Sequence, residues 1–376
     1  MNGMATTVPV RRRSRRWLIL IVPLLACAGT VALSALSNLT LPPAPARLDQ
    51  LSPLDKSRLQ ETLHLKAALG DTLWPNFGAM DIPVVLWNSD YTFLVGEAQP
   101  PAGWEPVPGD DFDGQIYYRQ PAHDPQNFAV RVGDRWAACL STKWEMDNFL
   151  VSKFREMMPA PLKPVFPYRL IIQPSEVQMT GVLHEAFHVY QVETAQAQFD
   201  EAEKAYRDGT RYWEADPGMR ADWTAEIDLL EKAVQAPSDA EAKAWARQFL
   251  AQRQRRRQAH GLDAPRGAYE RRFEWPEGLA KYTELGAWRA AATTAGYAAL
   301  PGLNADPTFS HYSTYPQRWS QELDQLRRQA DQAGETRLYY TGLAQAALLD
   351  RYLPGWKARV MAQGAWLEDL LAEAVK

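Results

Sequence analysis

The chain has 376 residues, 46% of them hydrophobic and 23% charged, a composition that suits a folded globular protein and excludes wholesale disorder. Its net charge is −4, but five of its 41 basic residues (Arg11, Arg12, Arg13, Arg15 and Arg16) form one N-terminal block, so the other 36 face 45 acidic residues. An acidic body argues against a nucleic-acid partner, and two cysteines, Cys27 and Cys139, exclude both a disulfide framework and a cysteine-rich zinc site.

Residues 1–16 read as a basic cytoplasmic N-terminus. Residues 17–36 carry no charge, and twenty apolar-rich residues are enough to cross a bilayer core. Basic residues just before such a span stay in the cytoplasm, so the body is expected outside it. The expectation is an uncleaved single-pass transmembrane anchor in a bacterial inner membrane, with the body in the periplasm. A cleaved signal peptide is one alternative, because Ser14–Arg15–Arg16–Trp17 is similar to a twin-arginine signal. A lipoprotein is another, because Leu24–Leu25–Ala26–Cys27 is similar to a lipobox. Residues 37–55 contain a dense proline cluster and read as an extended linker.

The body reads as α+β, a small N-terminal sheet followed by a mainly helical part. Residues 56–174 are the strand-rich part. It opens with an amphipathic helix over 56–70, carrying Leu59, Leu63 and Leu69. Between 82 and 132, β-branched and aromatic runs alternate with Pro, Gly and Asp clusters, the pattern of a small sheet. One more short strand is expected over 168–173. Residues 175–376 are helical in pattern, with breaks at Asp208–Gly209, Asp216–Pro217–Gly218, Pro237–Ser238, 261–265 and Pro301–Gly302. The basic run at 253–257 reads as a solvated helix face.

Residues 182–190 read V-L-H-E-A-F-H-V-Y, so His184, Glu185 and His188 make an H-E-x-x-H pattern. Residues four apart share one face of an α-helix, so both imidazoles can reach one metal ion. Glu185 projects about 100° away from His184 and lies beside that ion, placed to take a proton from an attacking water. Ser175 and Gln178 form a capping-box pattern at the helix start. The bland alternative is a pair of core histidines bonded to backbone or carboxylates. A catalytic zinc takes three protein ligands, and the candidate third is Glu277 on a helix opened by Pro276, with Gly278 leaving room for close helix packing. Glu274 and Glu284 are the fallbacks.

H-E-x-x-H followed by E-G-x-A at Glu277–Gly278–Leu279–Ala280 resembles the gluzincins, a family of zinc peptidases. Pro276 stands where that family usually has Asn. The likeness covers 182–190 and 274–284, and implies a zincin-like core over 175–376, with Zn2+ held by His184, His188 and Glu277. Glu277 follows His188 by 89 positions, which implies an inserted helical segment. The resemblance further implies that the strand before the motif helix, 168–173, pairs with a peptide substrate, and that a Tyr or His stabilises the oxyanion. Tyr340 is the residue preferred for that role among Tyr282, His311, Tyr312, Tyr339 and Tyr340. Glu193 or Glu284 is expected to buttress the histidines.

The function expected is that of a membrane-anchored zinc hydrolase, a metallopeptidase with Glu185 as general base and a peptide or protein as substrate. A zinc hydrolase of non-peptide amides or esters would use the same site. The alternative from another class is an inactive zincin-like binding or scaffold protein of the cell envelope. No residue speaks to oligomeric state.

Overall fold

The computed structural model of the protein describes residues 29–208, 217–262, 264–332 and 334–376. The expected membrane span lies mostly outside the described residues; its last part falls in a helix over 29–38, α1. No helix among the described residues is long and apolar enough to cross a membrane. Two compact units form. The smaller comprises the described residues up to Pro45 together with Met146–Ile172, and the larger comprises Ala46–Glu145 and Gln173–Lys376. The strand-rich and helical segments therefore belong to one unit and do not part at 174.

In the smaller unit, the strand expected over 168–173 is instead a 3-10 turn, Tyr168–Ile171. The Leu170 amide donates to the Pro167 carbonyl at 2.9 Å, a local bond that closes the turn. Pro167 and Pro174 bracket the segment and no strand lies alongside it, so the backbone is satisfied locally, without a ladder.

The larger unit opens with α2, Pro53–Leu73, which starts inside the expected linker because Ser52 caps it and Pro53 suits its first turn. Six strands follow: β1 Val84–Trp87, β2 Tyr91–Val95, β3 Glu105–Pro106, β4 Tyr118–Pro121, β5 Phe128–Val132 and β6 Arg135–Ser141. Their order is β3-β4-β2-β1-β6-β5. β1 runs parallel to β6, and every other pair is antiparallel. Sequence reading missed β6, whose Ala137, Ala138 and Cys139 look little like a strand. Those small side chains are fully buried, and Ala138 belongs to the core that also holds Leu183 and Phe187.

After α3, Lys143–Met157, the motif helix α4 runs Ser175–Asp208, with a kink at Ala195. It starts where expected, but the capping box does not form. Ser175 Oγ donates to Asp306 at 2.5 Å, and Gln178 donates to the Ser141 carbonyl at 3.4 Å. Against the sheet, α4 presents Gly181, where a Cβ would lie 3.1 Å from Leu140. On its other side, Trp74 wedges between helices. Its ring packs on Phe187 of α4 at 4.8 Å and on Tyr282 at 6.0 Å, and its indole nitrogen donates to Thr283 at 2.8 Å. Such a buried indole is worth several kcal/mol, about 3–5 on truncation.

The remaining helices are α5 Pro217–Gln235, α6 Asp239–Ala259, α7 Ala264–Phe273, α8 Leu279–Thr293, α9 Tyr315–Arg328, α10 Thr336–Tyr352, α11 Trp356–Ala362 and α12 Leu367–Ala374. Breaks fall as expected at Pro237–Ser238, around 261–265 and at Pro301–Gly302, and Ser238 caps α6, whereas the breaks expected at Asp208–Gly209 and Asp216–Pro217–Gly218 lie in part outside the described residues. The run at 253–257 is not a solvated face: Arg253 and Arg256 are fully buried. Arg253 bonds Glu226 and Glu274, Arg256 bonds Glu226 and Glu270, and Arg257 bonds Glu270 and Glu368. Guanidinium groups enter a core only with such carboxylate partners, and these lie too far along the chain for a helix-face pattern to show them.

Burial opposes charge on Glu368, but Arg253 and Arg257 outweigh it and hold its carboxyl down at about 2. A depressed carboxyl adds stability that is full above its ordinary value of 4.5 and is lost as the pH falls towards 2. The urea midpoint is therefore expected to drop as the pH falls through that window, and Glu368→Gln should flatten part of the drop. Parallel wild-type and variant curves would show that Glu368 is not a source of the pH dependence.

Candidate metal centre

The geometry of the centre comes from two helices and one irregular turn. α4 places His184 and His188 one turn apart, with ring centroids at 5.0 Å. Between α7 and α8 the chain makes a π-turn, Glu274–Gly278. A helix start had been expected at Pro276; instead Pro276 lies inside a nearly continuous helical path. Proline has no amide hydrogen and its ring crowds the carbonyl four residues back, so the wider π-turn accommodates it. The turn points Glu277 at α4. Its Oε2 lies 3.4 Å from His184 Nε2 and 3.6 Å from His188 Nε2.

Two glycines allow this approach. A Cβ on Gly278 would fall 2.5 Å from the Cα of Gly342 on α10, and one on Gly342 would fall 2.6 Å from the Glu274 carbonyl oxygen. Gly278 thus does leave room for a helix, as its place in the sequence suggests. Glu274, a fallback ligand, turns the other way. It accepts from Arg253 at 2.6 and 3.0 Å and from the Thr341 hydroxyl at 2.6 Å. The other fallback, Glu284, lies 3.6 Å from His184 Nδ1, on the ring nitrogen opposite the one facing Glu277. Lys281 donates to Glu284 at 2.9 and 3.1 Å, and Arg318 stands 3.5 Å away. Glu284 therefore occupies the buttressing place expected of it or of Glu193, while Glu193 is exposed.

A residue not singled out in the sequence, Gln191, fixes the state of His188. Its amide nitrogen faces the Trp275 and Pro276 carbonyls at 3.2 and 3.4 Å, which leaves its oxygen to accept from His188 Nδ1 at 2.9 Å. With the proton on Nδ1, a neutral His188 must offer a lone pair at Nε2. That nitrogen is buried and has no hydrogen-bond partner, and the same holds for Glu185 Oε2. Leaving such atoms unmatched costs about 1–3 kcal/mol each, so the centre is built for something further. His184, Glu185 and His188 form a buried group whose ligand atoms lie within 4.8 Å of one another and could hold a metal ion. Two imidazoles and a carboxylate are also a donor set suited to zinc.

Burial and close charges together shift the groups of the centre. Burial works against charge on His184, but Glu277 and Glu284 overcome it and push that imidazole up to about 10. Burial likewise opposes charge on Glu277, yet the two histidines hold it well below the carboxylate range. Burial dominates at Glu185 and lifts it to about 7. The Cys139 thiol, also buried, is pushed up to about 12, which removes it as a nucleophile.

The tyrosines divide plainly. Tyr339 stacks on His184 at 6.2 Å with rings 15° from parallel, and burial, reinforced by the nearby Glu277 carboxylate, pushes its hydroxyl well above the usual phenol range. Its neighbour Tyr340, preferred from sequence, is half-buried near Lys281 and Glu322. Tyr282 donates to Asp350 and Tyr312 to Glu61, while His311 packs on Phe309. Nothing local in the sequence separates Tyr339 from Tyr340; one residue of helical rotation decides it. A cavity of about 420 Å³ lies on the face of α8 carrying Tyr282, Leu285 and Arg289, away from the face carrying Lys281 and Glu284.

Replacing Gln191 by Leu removes both the acceptor for His188 and the donor to the π-turn. Loss of such a buttress weakens a metal site by about 10–100-fold. Calorimetric titration of the metal-free protein with zinc is expected to show a loss in that range. An unchanged affinity would refute the tautomer assignment.

No family model matches the chain, and no curated protein or solved structure matches it.

Proposed function

We propose that this chain is a zinc-dependent hydrolase and, within that class, a peptidase. The observation that carries the reading is the convergence of His184 Nε2 and His188 Nε2 on one Glu277 oxygen, with Glu185 beside them. His184, His188 and Glu277 would hold the ion. A zinc ion bound there supplies Lewis acidity, which acidifies water and polarises a carbonyl.

The residues of the chain do the rest. Glu185 takes the proton of the attacking water and returns it to the leaving amine. Its lift to about 7 by burial suits a group that both accepts and releases a proton near neutrality. Gln191 keeps the His188 proton on Nδ1, and Glu284 orients His184. Tyr339, rather than Tyr340, is the tyrosine we assign to the oxyanion, because its hydroxyl is already beside Glu277. β5 takes the substrate-aligning role first expected of 168–173. It is an edge strand, and Phe128 packs on the His188 ring at 4.7 Å. An extended peptide can add to such an edge through its backbone. This favours a peptide over other amides and esters.

Glu185→Gln keeps shape while removing the base. The variant is expected to bind zinc at about one ion per chain, as metal analysis would show, and to lose hydrolysis of a peptide library by at least about 100-fold. Retained hydrolysis would refute the mechanism. A wild-type protein that binds zinc and cleaves nothing would point to the envelope-scaffold alternative.

A further inference from the structure

The smaller unit carries the largest concentration of misplaced apolar surface in the described protein. Nine large hydrophobic residues are strongly exposed among the described residues, and eight belong to this unit: Val31, Leu33, Leu36, Leu39, Phe149, Met157, Leu162 and Leu170. Leu39 and Leu170 are 80% and 79% exposed. Scattered single exposures are ordinary, but eight in one small unit mark an interaction surface.

The backbone of 159–171 says what kind of surface it is. Four of its residues are prolines, Pro159, Pro161, Pro164 and Pro167, and have no amide hydrogen to satisfy. The amides of Leu162, Lys163, Val165, Phe166, Tyr168 and Leu170 all donate to carbonyls within the same segment. Three of its carbonyls are taken by side chains of α1 or the residue at its end: Ser34 donates to Val165 at 2.7 Å, and Asn38 to Pro164 and Phe166 at 3.0 and 2.7 Å. These bonds leave few polar groups of the backbone unmatched, which lowers the cost of moving the segment from water into a bilayer interface.

Two further observations select lipid over a protein partner. α1 contains the last part, 29–36, of the uncharged run over 17–36, so in sequence the residues that grip 159–171 stand at the end of the chain's own apolar stretch. Residues 146–172 also carry four basic side chains, Lys153, Arg155, Lys163 and Arg169, against Asp147 and Glu156, in a body that is otherwise acidic. Basic and apolar residues together suit the headgroup region of an anionic bilayer.

We propose that 146–172 is a second membrane contact, remote in sequence from the N-terminal segment, which lies in the bilayer interface with Leu162 and Leu170 immersed. The inference does not depend on the zinc site.

The test uses the full chain, with Cys27→Ser so that only buried Cys139 remains, and an environment-sensitive fluorophore attached at Leu162→Cys, Leu170→Cys or, as control, Ile116→Cys. Each protein is reconstituted into phosphatidylcholine–phosphatidylglycerol vesicles with and without nitroxide-labelled lipid. The proposal expects blue-shifted emission and quenching by nitroxide lipid at 162 and 170, and neither at 116. Water-like emission at 162 and 170 would overturn it. So would a blue shift without lipid quenching, since that places protein over the surface.

Discussion

The centre depends on one irregular piece of backbone, the π-turn that aims Glu277 at α4. A π-turn is rare because it opens the helix and strands carbonyls, and it persists only where its surroundings hold it. Here it is held from several sides. Gly342 meets Gly278 in backbone contact, Arg253 and Thr341 grip Glu274, and Gln191 reaches the loosened carbonyls of Trp275 and Pro276. Trp74 and Thr283 lock the following helix to the back of α4. Because Glu277 is one residue from the glycine contact and three from Glu274, it has little freedom to move without breaking them.

That rigidity explains how so much charge can be buried in one place. Three carboxylates, Glu185, Glu277 and Glu284, are all under 10% exposed around two imidazoles. Like charges at such range repel strongly where water is excluded. Lys281 and Arg318 answer Glu284, and the histidines answer Glu277. Glu185 keeps an unmatched buried oxygen, which accounts for its high proton affinity. The two atoms left unmatched, Glu185 Oε2 and His188 Nε2, are a cost to the fold, unlike the paired carboxylates around them.

What could be read from the sequence follows the range of the interactions. The histidine pair was legible because a spacing of four residues is a local property of a helix. The helix breaks were legible for the same reason, since Gly, Pro and Ser act on their own backbone. Glu277 was reached through a resemblance, and the gap at Gly278 through its small size, but the π-turn around them was not visible. Gln191 was passed over although it stands three residues from His188, because its value lies in carbonyls 84 and 85 positions away. The same distance effect hid the partners of Arg253 and Arg256 and made a buried network look like a wet surface. β6 failed for another reason: its alanines are chosen by the helix that lies on them, and a strand pattern looks for bulk.

The long separation between His188 and Glu277 then takes on a different meaning. Read in one dimension, it is a long stretch that separates Glu277 from the histidines. Folded, α5 and α6 come from that stretch, and they bring Glu226, Arg253 and Arg256 back into the core. Arg253 is the residue that holds Glu274, one turn before Glu277. Its guanidinium also bonds Glu226 of α5, so the two helices and the π-turn share one ionic joint. A buried arginine with a carboxylate removed is costly, on the order of 3–5 kcal/mol, so each member of the joint constrains the others. The intervening segment therefore works as the clamp that sets the direction of Glu277, and the distance in sequence is what allows it to fold back and do so.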